Sequence, residues 1–94
     1  MKKVYVLEIE SADTTTSTDQ FIQNQSKITS KVKKELRKKV KNAGLQDEFA
    51  FVSSRISNIS RMIEVYASPQ AIKTIEEING IKAIKEHPTL NRNR

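Results

Sequence analysis

The residue types that could carry out catalytic chemistry are scarce in this 94-residue chain. It contains no cysteine and a single histidine, His87, which stands directly before Pro88. Nucleophilic catalysis by a serine needs a histidine that an acid positions, and the common zinc sites need several histidine or cysteine ligands. We therefore expect no metal, no cofactor and no enzymatic activity, and we predict that His87 is a surface residue.

The carboxylates and glycines add little to this set. Glu76 and Glu77 are adjacent in a predicted helix, so their side chains diverge by about 100° and do not form a paired acid and base. The only two glycines, Gly44 and Gly80, each stand where a helix should end, and neither belongs to a glycine-rich loop that could bind phosphate. The sequence favours a binding role over catalysis.

Positive charge is the strongest compositional feature. The formal net charge is +6, and the excess is concentrated in "SKVKKELRKKVKN", residues 30–42, where seven basic residues accompany Glu35 as the only acidic one. Such a run predicts either a solvated helix face or a surface that binds nucleic-acid phosphates. No aromatic residue of the run could stack on bases, which favours the solvated face and leaves a nucleic-acid-binding module as an alternative.

The first elements that must position these residues are a strand and a loop. "KVYVLEIE", residues 3–10, alternates with a period of two and predicts a strand with Tyr5, Leu7 and Ile9 on one side. The polar run "SADTTTSTDQ", residues 11–20, offers no apolar anchor and predicts a flexible loop.

A long helix is predicted to follow from about Asp19, because the apolar spacing changes to steps of three and four. Ser17 or Thr18 can cap its first turn, and Gly44 is expected to end it. The expected apolar stripe consists of Phe21, Ile22, Ile28, Val32, Leu36 and Val40.

The second half of the chain predicts two strands, a short helix and a last strand. "EFAFVSSRI", residues 48–56, and "SRMIEVYA", residues 60–67, are strand-like runs joined by a hairpin at "SNIS". Ser68 and Pro69 are expected to begin a helix that ends at Gly80. "IKAIKE" then predicts a strand, which Pro88 stops.

The order of these elements is strand, helix, strand, strand, helix, strand. It predicts an α+β fold, a ferredoxin-like βαββαβ sandwich with a four-stranded antiparallel sheet and two helices on one face. The other sheet face is then open unless a partner covers it.

The amino terminus bears on where the protein acts. "MKKVYVLEIE" begins with two lysines like a secretory signal, but Glu8 and Glu10 interrupt its apolar run. No run approaches the length needed to cross a bilayer, so we expect no membrane partner. A signal peptide could have preceded Met1.

Most of the chain resembles the inhibitor-type propeptides of subtilisin-family serine proteases. The resemblance rests on the opening strand "KVYVLEIE", on "SRISNISRMIEVYAS", on "PQAIKTIEEINGIKAIKE" and on the tail "HPTLNRNR". It implies a non-catalytic, secreted or cell-surface domain, residues 1–88, that acts as an intramolecular chaperone and temporary inhibitor of its protease. A tail, residues 89–94, would then enter the protease cleft as a cleaved product does.

The resemblance also implies the residues that bind the protease. Glu86 matches an acidic position that approaches the amino-terminal ends of two surface helices of the catalytic domain, where a carboxylate is favoured. His87 stands where a second acid is common. Arg94 matches the residue before the cut, which would suit an arginine-preferring subtilase such as a lantibiotic leader peptidase. The remaining expected contacts are Thr89, Leu90, Asn91, Arg92 and Asn93.

Three departures from the family pattern bear on this assignment. The turn "SNIS" lacks the usual glycine, the first helix and its loop are long, and Asn91 takes a place where an apolar side chain is common. This place is the fourth residue before a cut after Arg94. If the cut follows Asn93 instead, Leu90 is the fourth residue before it. A free-standing subtilase inhibitor of the same fold is the closest alternative function.

Overall fold

The computed structural model describes residues 2–15, 17–52 and 61–87. Within them, six main elements follow the predicted order. Their bounds are β1 (Lys3–Ile9), α1 (Thr18–Asn42), β2 (Phe49–Phe51), β3 (Met62–Ala67), α2 (Pro69–Ile75) and β4 (Ile81–Glu86), with a short 3₁₀ turn at Gln46–Glu48 before β2. The predicted turn "SNIS" and the tail, residues 89–94, lie outside the described residues.

The four strands form one antiparallel sheet in the order β2-β3-β1-β4. Tyr5 pairs with Val65, and Leu7 pairs with Ile63 and Ile84, so these side chains share one face of the sheet. That face is buried under the two helices. The predicted α+β, ferredoxin-like arrangement is confirmed.

The core lies between this sheet face and one stripe on each helix. From the sheet, Leu7, Ile63 and Val65 are fully buried. From the helices, Leu36 of α1 and Ile75 of α2 are fully buried against them. The alternation of β1 and the second half of the predicted α1 stripe, Val32, Leu36 and Val40, therefore indicated the core correctly.

Helix α1 differs from its predicted stripe in the first half. Ile22 is 41% exposed, whereas Gln25 and Thr29 are fully buried at the core-facing positions. Gln25 accepts a hydrogen bond from the Ala12 amide at 2.8 Å and donates to the Glu10 carbonyl at 3.0 Å. In this half of α1, the contact with the segment that precedes the helix is made by hydrogen bonds of a polar side chain and not by apolar packing.

The segment before α1 is held against the helix. The prediction that residues 11–20 form a flexible loop without an apolar anchor is therefore wrong for its first residues. Ala12 is buried and bonded to Gln25. Asp13 accepts hydrogen bonds from the Thr15 amide at 2.9 Å and hydroxyl at 2.8 Å, and these bonds lower the pKa of its carboxyl group. Ser17 then caps α1 by accepting from the Gln20 amide, as predicted.

Helix α2 begins as predicted and ends early. The Ser68 hydroxyl accepts from the Ala71 amide, and Pro69 opens the first turn. The helix ends at Ile75 instead of near Gly80 because two carboxylates, Glu76 and Glu77, follow at the negative end of the helix dipole. Residues 76–80 form turns that lead into β4.

Candidate functional site

The sheet face turned away from the helices is the candidate site, and we call it the open face. The cross-strand pair Val4–Tyr66 lies on it at one end. The pair Val6–Glu64 lies at its centre, because β1 and β3 are the two inner strands of the sheet. The open face also carries Glu8, Ala50, Val52, Met62, Ala83, Lys85 and His87.

Large apolar side chains stand exposed on the open face. Met62 is 60% exposed, Tyr66 45% and Val52 42%. Val4 and Val6 lie between them and are half-buried. Isolated exposed apolar residues are ordinary, but this group lies together on one flat surface, which is typical of a face that another molecule covers.

A histidine–carboxylate pair crosses the middle of the open face. The Nε2 atom of His87 lies 3.1 Å from Oε2 of Glu64, and the His87 amide donates to the Val4 carbonyl at 2.9 Å. The His87 side chain is only 18% exposed. His87 thus lies at the surface, on the open face, and it is partly buried because its backbone continues the pairing of β4 with β1 and directs the imidazole across the sheet.

Charged side chains surround the apolar part of the open face. Lys85 approaches Glu8 at 3.9 Å on one side. On the other, Lys2 lies 5.6 Å above the ring of Tyr66 and donates to the Asp47 carbonyl. A polar rim around exposed apolar side chains is common in protein–protein interfaces, and here the Glu64–His87 pair lies among the apolar side chains.

Glu86, expected from the resemblance to meet a partner, lies on the opposite side of the sheet. It pairs with Tyr5, whose ring belongs to the core, and its carboxylate lies 3.5 Å from Nζ of Lys3. The Glu86 side chain therefore lies on the side of the sheet that the helices cover. The open face instead carries two acids, Glu64 at its centre on β3 and Glu8 on β1, and Glu8 lies 3.9 Å from Lys85.

The other sequence-predicted contacts fall outside the part of the chain that the structure describes. These are Thr89, Leu90, Asn91, Arg92, Asn93 and Arg94. Only Glu86 and His87 of that group have a described position, at the end of β4 and just after it.

The open face contains residues that the sequence indicated only indirectly. In β3, Met62, Glu64 and Tyr66 alternate with the core residues Ile63 and Val65. The sequence signal for this face was the presence of apolar side chains on both sides of β3. A sheet face that stays in solvent is usually polar.

No group of three or more histidine, cysteine or acidic side chains among the described residues could hold a metal ion. Within the same residues, no helix has the length and apolar character to cross a membrane. Comparison with protein-family models, with curated proteins and with solved structures finds no match to this chain.

Proposed function

We propose that the chain is a subtilisin-type protease propeptide, which assists the folding of its cognate serine protease and then inhibits it temporarily as a bound product. The observation that carries this proposal is the open face, with Met62, Tyr66 and Val52 exposed around the Glu64–His87 pair. A propeptide of this class binds its protease through such a sheet face.

The exposed apolar side chains supply the binding energy in this proposal. Burying a methionine or valine side chain that was exposed contributes on the order of 1 kcal/mol or more. The sheet that presents these groups is formed by the domain itself, so little backbone order would have to be gained on binding. A preformed surface of this kind favours the folded arrangement of the protease helices that pack on it.

Glu64 takes the acidic role that the resemblance gave to Glu86. Its carboxylate lies on the open face, on an inner strand, where two helices of a partner would meet the sheet. The amino-terminal end of a helix carries unpaired amides and a partial positive charge, which a carboxylate stabilises. His87 holds the Glu64 side chain in place at 3.1 Å.

The tail, residues 89–94, has the product-like role in this proposal. A free-standing inhibitor would use the same contacts. The two differ in what is encoded after Arg94, because a propeptide is followed by a protease with Asp, His and Ser catalytic residues.

The experiment measures inhibition of an arginine-accepting subtilisin-type protease by the 94-residue chain and by a chain that lacks residues 91–94. The deletion should raise the inhibition constant at least about tenfold, because the cleft contacts are lost. The circular dichroism spectrum should stay almost unchanged. Equal inhibition by the two chains would exclude the product-like role.

The open face is tested separately. Tyr66→Ala should weaken inhibition about tenfold, and Gln70→Ala, at an exposed position of α2, is the matched control on the helix side. Glu64→Gln keeps the shape of the side chain and should weaken binding through its charge alone. If Gln70→Ala lowers inhibition as much as Tyr66→Ala does, the sheet is not the binding face.

A further inference from the structure

The outer side of α1 carries a row of lysines, which we call the lysine stripe. It consists of Lys27, Lys31, Lys34, Lys38 and Lys41, spaced by four, three, four and three residues. At 100° per residue, the five positions lie within about 40° of one direction, and Leu36 in the core points the opposite way. All five side chains are exposed.

The neighbours of the lysine stripe are neutral and polar. Within about 60° of its centre, the helix adds only glutamine, asparagine and serine. These residues are Gln20, Gln23, Asn24, Ser30 and Asn42. Glu35 lies on the flank, where it lines a cleft with Lys31 of the stripe, Lys39 and Glu77. The lysine stripe therefore contains neither an acidic nor an apolar side chain.

This arrangement differs from an ordinary solvated helix face. Such a face usually alternates acids and bases at three- and four-residue spacing, because opposite charges there stabilise a helix and like charges destabilise it. In the lysine stripe, Lys31 has Lys27 four residues before it and Lys34 three residues after it. No ion pair in the described residues involves any of its five lysines. Glu35, four residues after Lys31 and three before Lys38, is the one acid of α1 at such a spacing from the lysine stripe, so it offsets the repulsion only in part.

From this we infer that the lysine stripe is a docking surface for the phosphate backbone of a nucleic-acid duplex, bound without sequence specificity. The five charges extend over about 21 Å of helix, a spacing of about 5 Å. A duplex presents a phosphate every 1.7 Å or so along its axis, and each neutralised phosphate releases condensed counterions.

The composition of the surface selects this partner over others. A protein interface has an apolar, desolvated centre, whereas a nucleic-acid interface is polar and strongly positive. A membrane-binding helix inserts an apolar face, but the apolar face of α1 is buried in the core. Single-stranded nucleic acid is bound on aromatic side chains, and the lysine stripe has none.

The test measures the affinity of the 94-residue chain for a fluorescent DNA duplex of about 20 base pairs over a range of salt concentrations. The logarithm of the binding constant should fall against the logarithm of salt with a slope of about −4.5, since each of the five lysines that contacts a phosphate contributes about −0.9. The variant Lys31→Gln/Lys34→Gln/Lys38→Gln should bind at least about tenfold more weakly and with a slope reduced by about 2.7.

A control variant separates the lysine stripe from net charge. Lys2→Gln/Lys82→Gln/Lys85→Gln removes the same charge from the sheet side and should lose less than about threefold. The inference holds if the first variant loses at least three times more affinity than the control. A smaller difference, no binding by the unaltered chain, or tighter binding to vesicles of anionic lipid than to the duplex overturns it. Circular dichroism checks that each variant is folded.

Discussion

At the scale of single residues, the connection between α2 and β4 depends on Gly80. Its φ angle is 101°, which side chains with a Cβ atom rarely adopt. A Cβ atom placed there would also lie 2.7 Å from Cγ2 of Val32, well inside van der Waals contact. The Gly80 carbonyl accepts from the Glu10 amide at 2.8 Å, which fixes the turn beside the end of β1. The absence of a side chain thus lets the turn pack on α1.

We predict that Gly80→Ala lowers the free energy of unfolding by about 2 kcal/mol or more, because backbone strain and the contact with Val32 both act. Gly44→Ala is the matched control. It has a φ angle of 72° but no atom within 4 Å of the added Cβ, so only the strain of about 1 kcal/mol remains. Urea unfolding measures both free energies of unfolding.

A Val32→Ala background tests the contact itself. There Gly80→Ala should lower the free energy of unfolding by less, and an unchanged loss would exclude the contact with Val32 as its cause.

Gln25 is the second residue whose role is local and specific. Its amide group bonds the Ala12 amide and the Glu10 carbonyl, and its nitrogen lies 3.3 Å from the Thr29 hydroxyl. Every buried side-chain nitrogen and oxygen among the described residues has a hydrogen-bond partner. Gln25 therefore links α1 to the segment that follows β1 through a satisfied polar network.

We predict that Gln25→Ala destabilises the domain by about 1–3 kcal/mol, since it leaves the Ala12 amide without its buried partner. Gln23→Ala removes the same side chain from an exposed position two residues away and should change stability by less than about 0.5 kcal/mol. Urea unfolding monitored by circular dichroism compares the two variants. Similar losses would mean that helix propensity, and not the buried network, explains the effect.

At the scale of elements, the sequence predicted the strands and helices better than their ends. The period of two in β1 and the capping signals at Ser17 and Ser68 depend on adjacent residues, so the sequence contains them directly. Strand β4 has the predicted bounds. In contrast, the burial of Gln25 depends on where Ala12 lies, a contact across thirteen residues that no local pattern contains.

The candidate site was predictable only in part, for the same reason. The open face follows from the order of the elements, and its apolar residues follow from the alternation in β3. Which acid lies on it depends on strand register, and a shift of one residue moves every side chain to the other face. The pairing of Tyr5 with Glu86 places Glu86 on the helix side, and the acids on the open face are Glu64 and Glu8 instead.

Helix α1 offers an element-scale prediction, because the lysine stripe should weaken the helix that carries it. Lys34→Glu turns its like-charge neighbours Lys31 and Lys38 into attractive ones, so stability should rise by roughly 1 kcal/mol at low salt. Lys73→Glu makes the same chemical change on α2, beside Glu76 and Glu77, and should lower stability. Thermal unfolding measures both effects, which should shrink in 1 M salt.

The contrast between the two variants is the decisive result. If Lys34→Glu and Lys73→Glu shift the unfolding temperature in the same direction, the local charge environment of each helix does not govern the effect. A rise for Lys34→Glu together with lost duplex binding would show that the lysine stripe lowers stability while serving the interaction proposed for it.

At the scale of the whole molecule, the two proposed surfaces lie on opposite sides of the sandwich. The open face is one side of the sheet, and the lysine stripe is the outward side of a helix packed on the other. The core of the domain lies between them, and no residue belongs to both surfaces. Changes at separated sites without shared partners usually add independently.

We therefore predict that the domain binds a protease and a duplex at the same time. Lys31→Gln/Lys34→Gln/Lys38→Gln should change the protease inhibition constant by less than about twofold, and Tyr66→Ala should change duplex affinity equally little. Inhibition assays and fluorescence anisotropy give the two affinities. A saturating duplex should likewise leave inhibition unchanged, apart from the screening that added salt reproduces.

Loss of inhibition in the lysine variant, with its fold intact, would place the protease contact on the helix side and contradict the assignment of the open face. Loss of duplex binding in Tyr66→Ala would instead place the duplex on the sheet, so each result identifies which of the two surfaces was assigned wrongly.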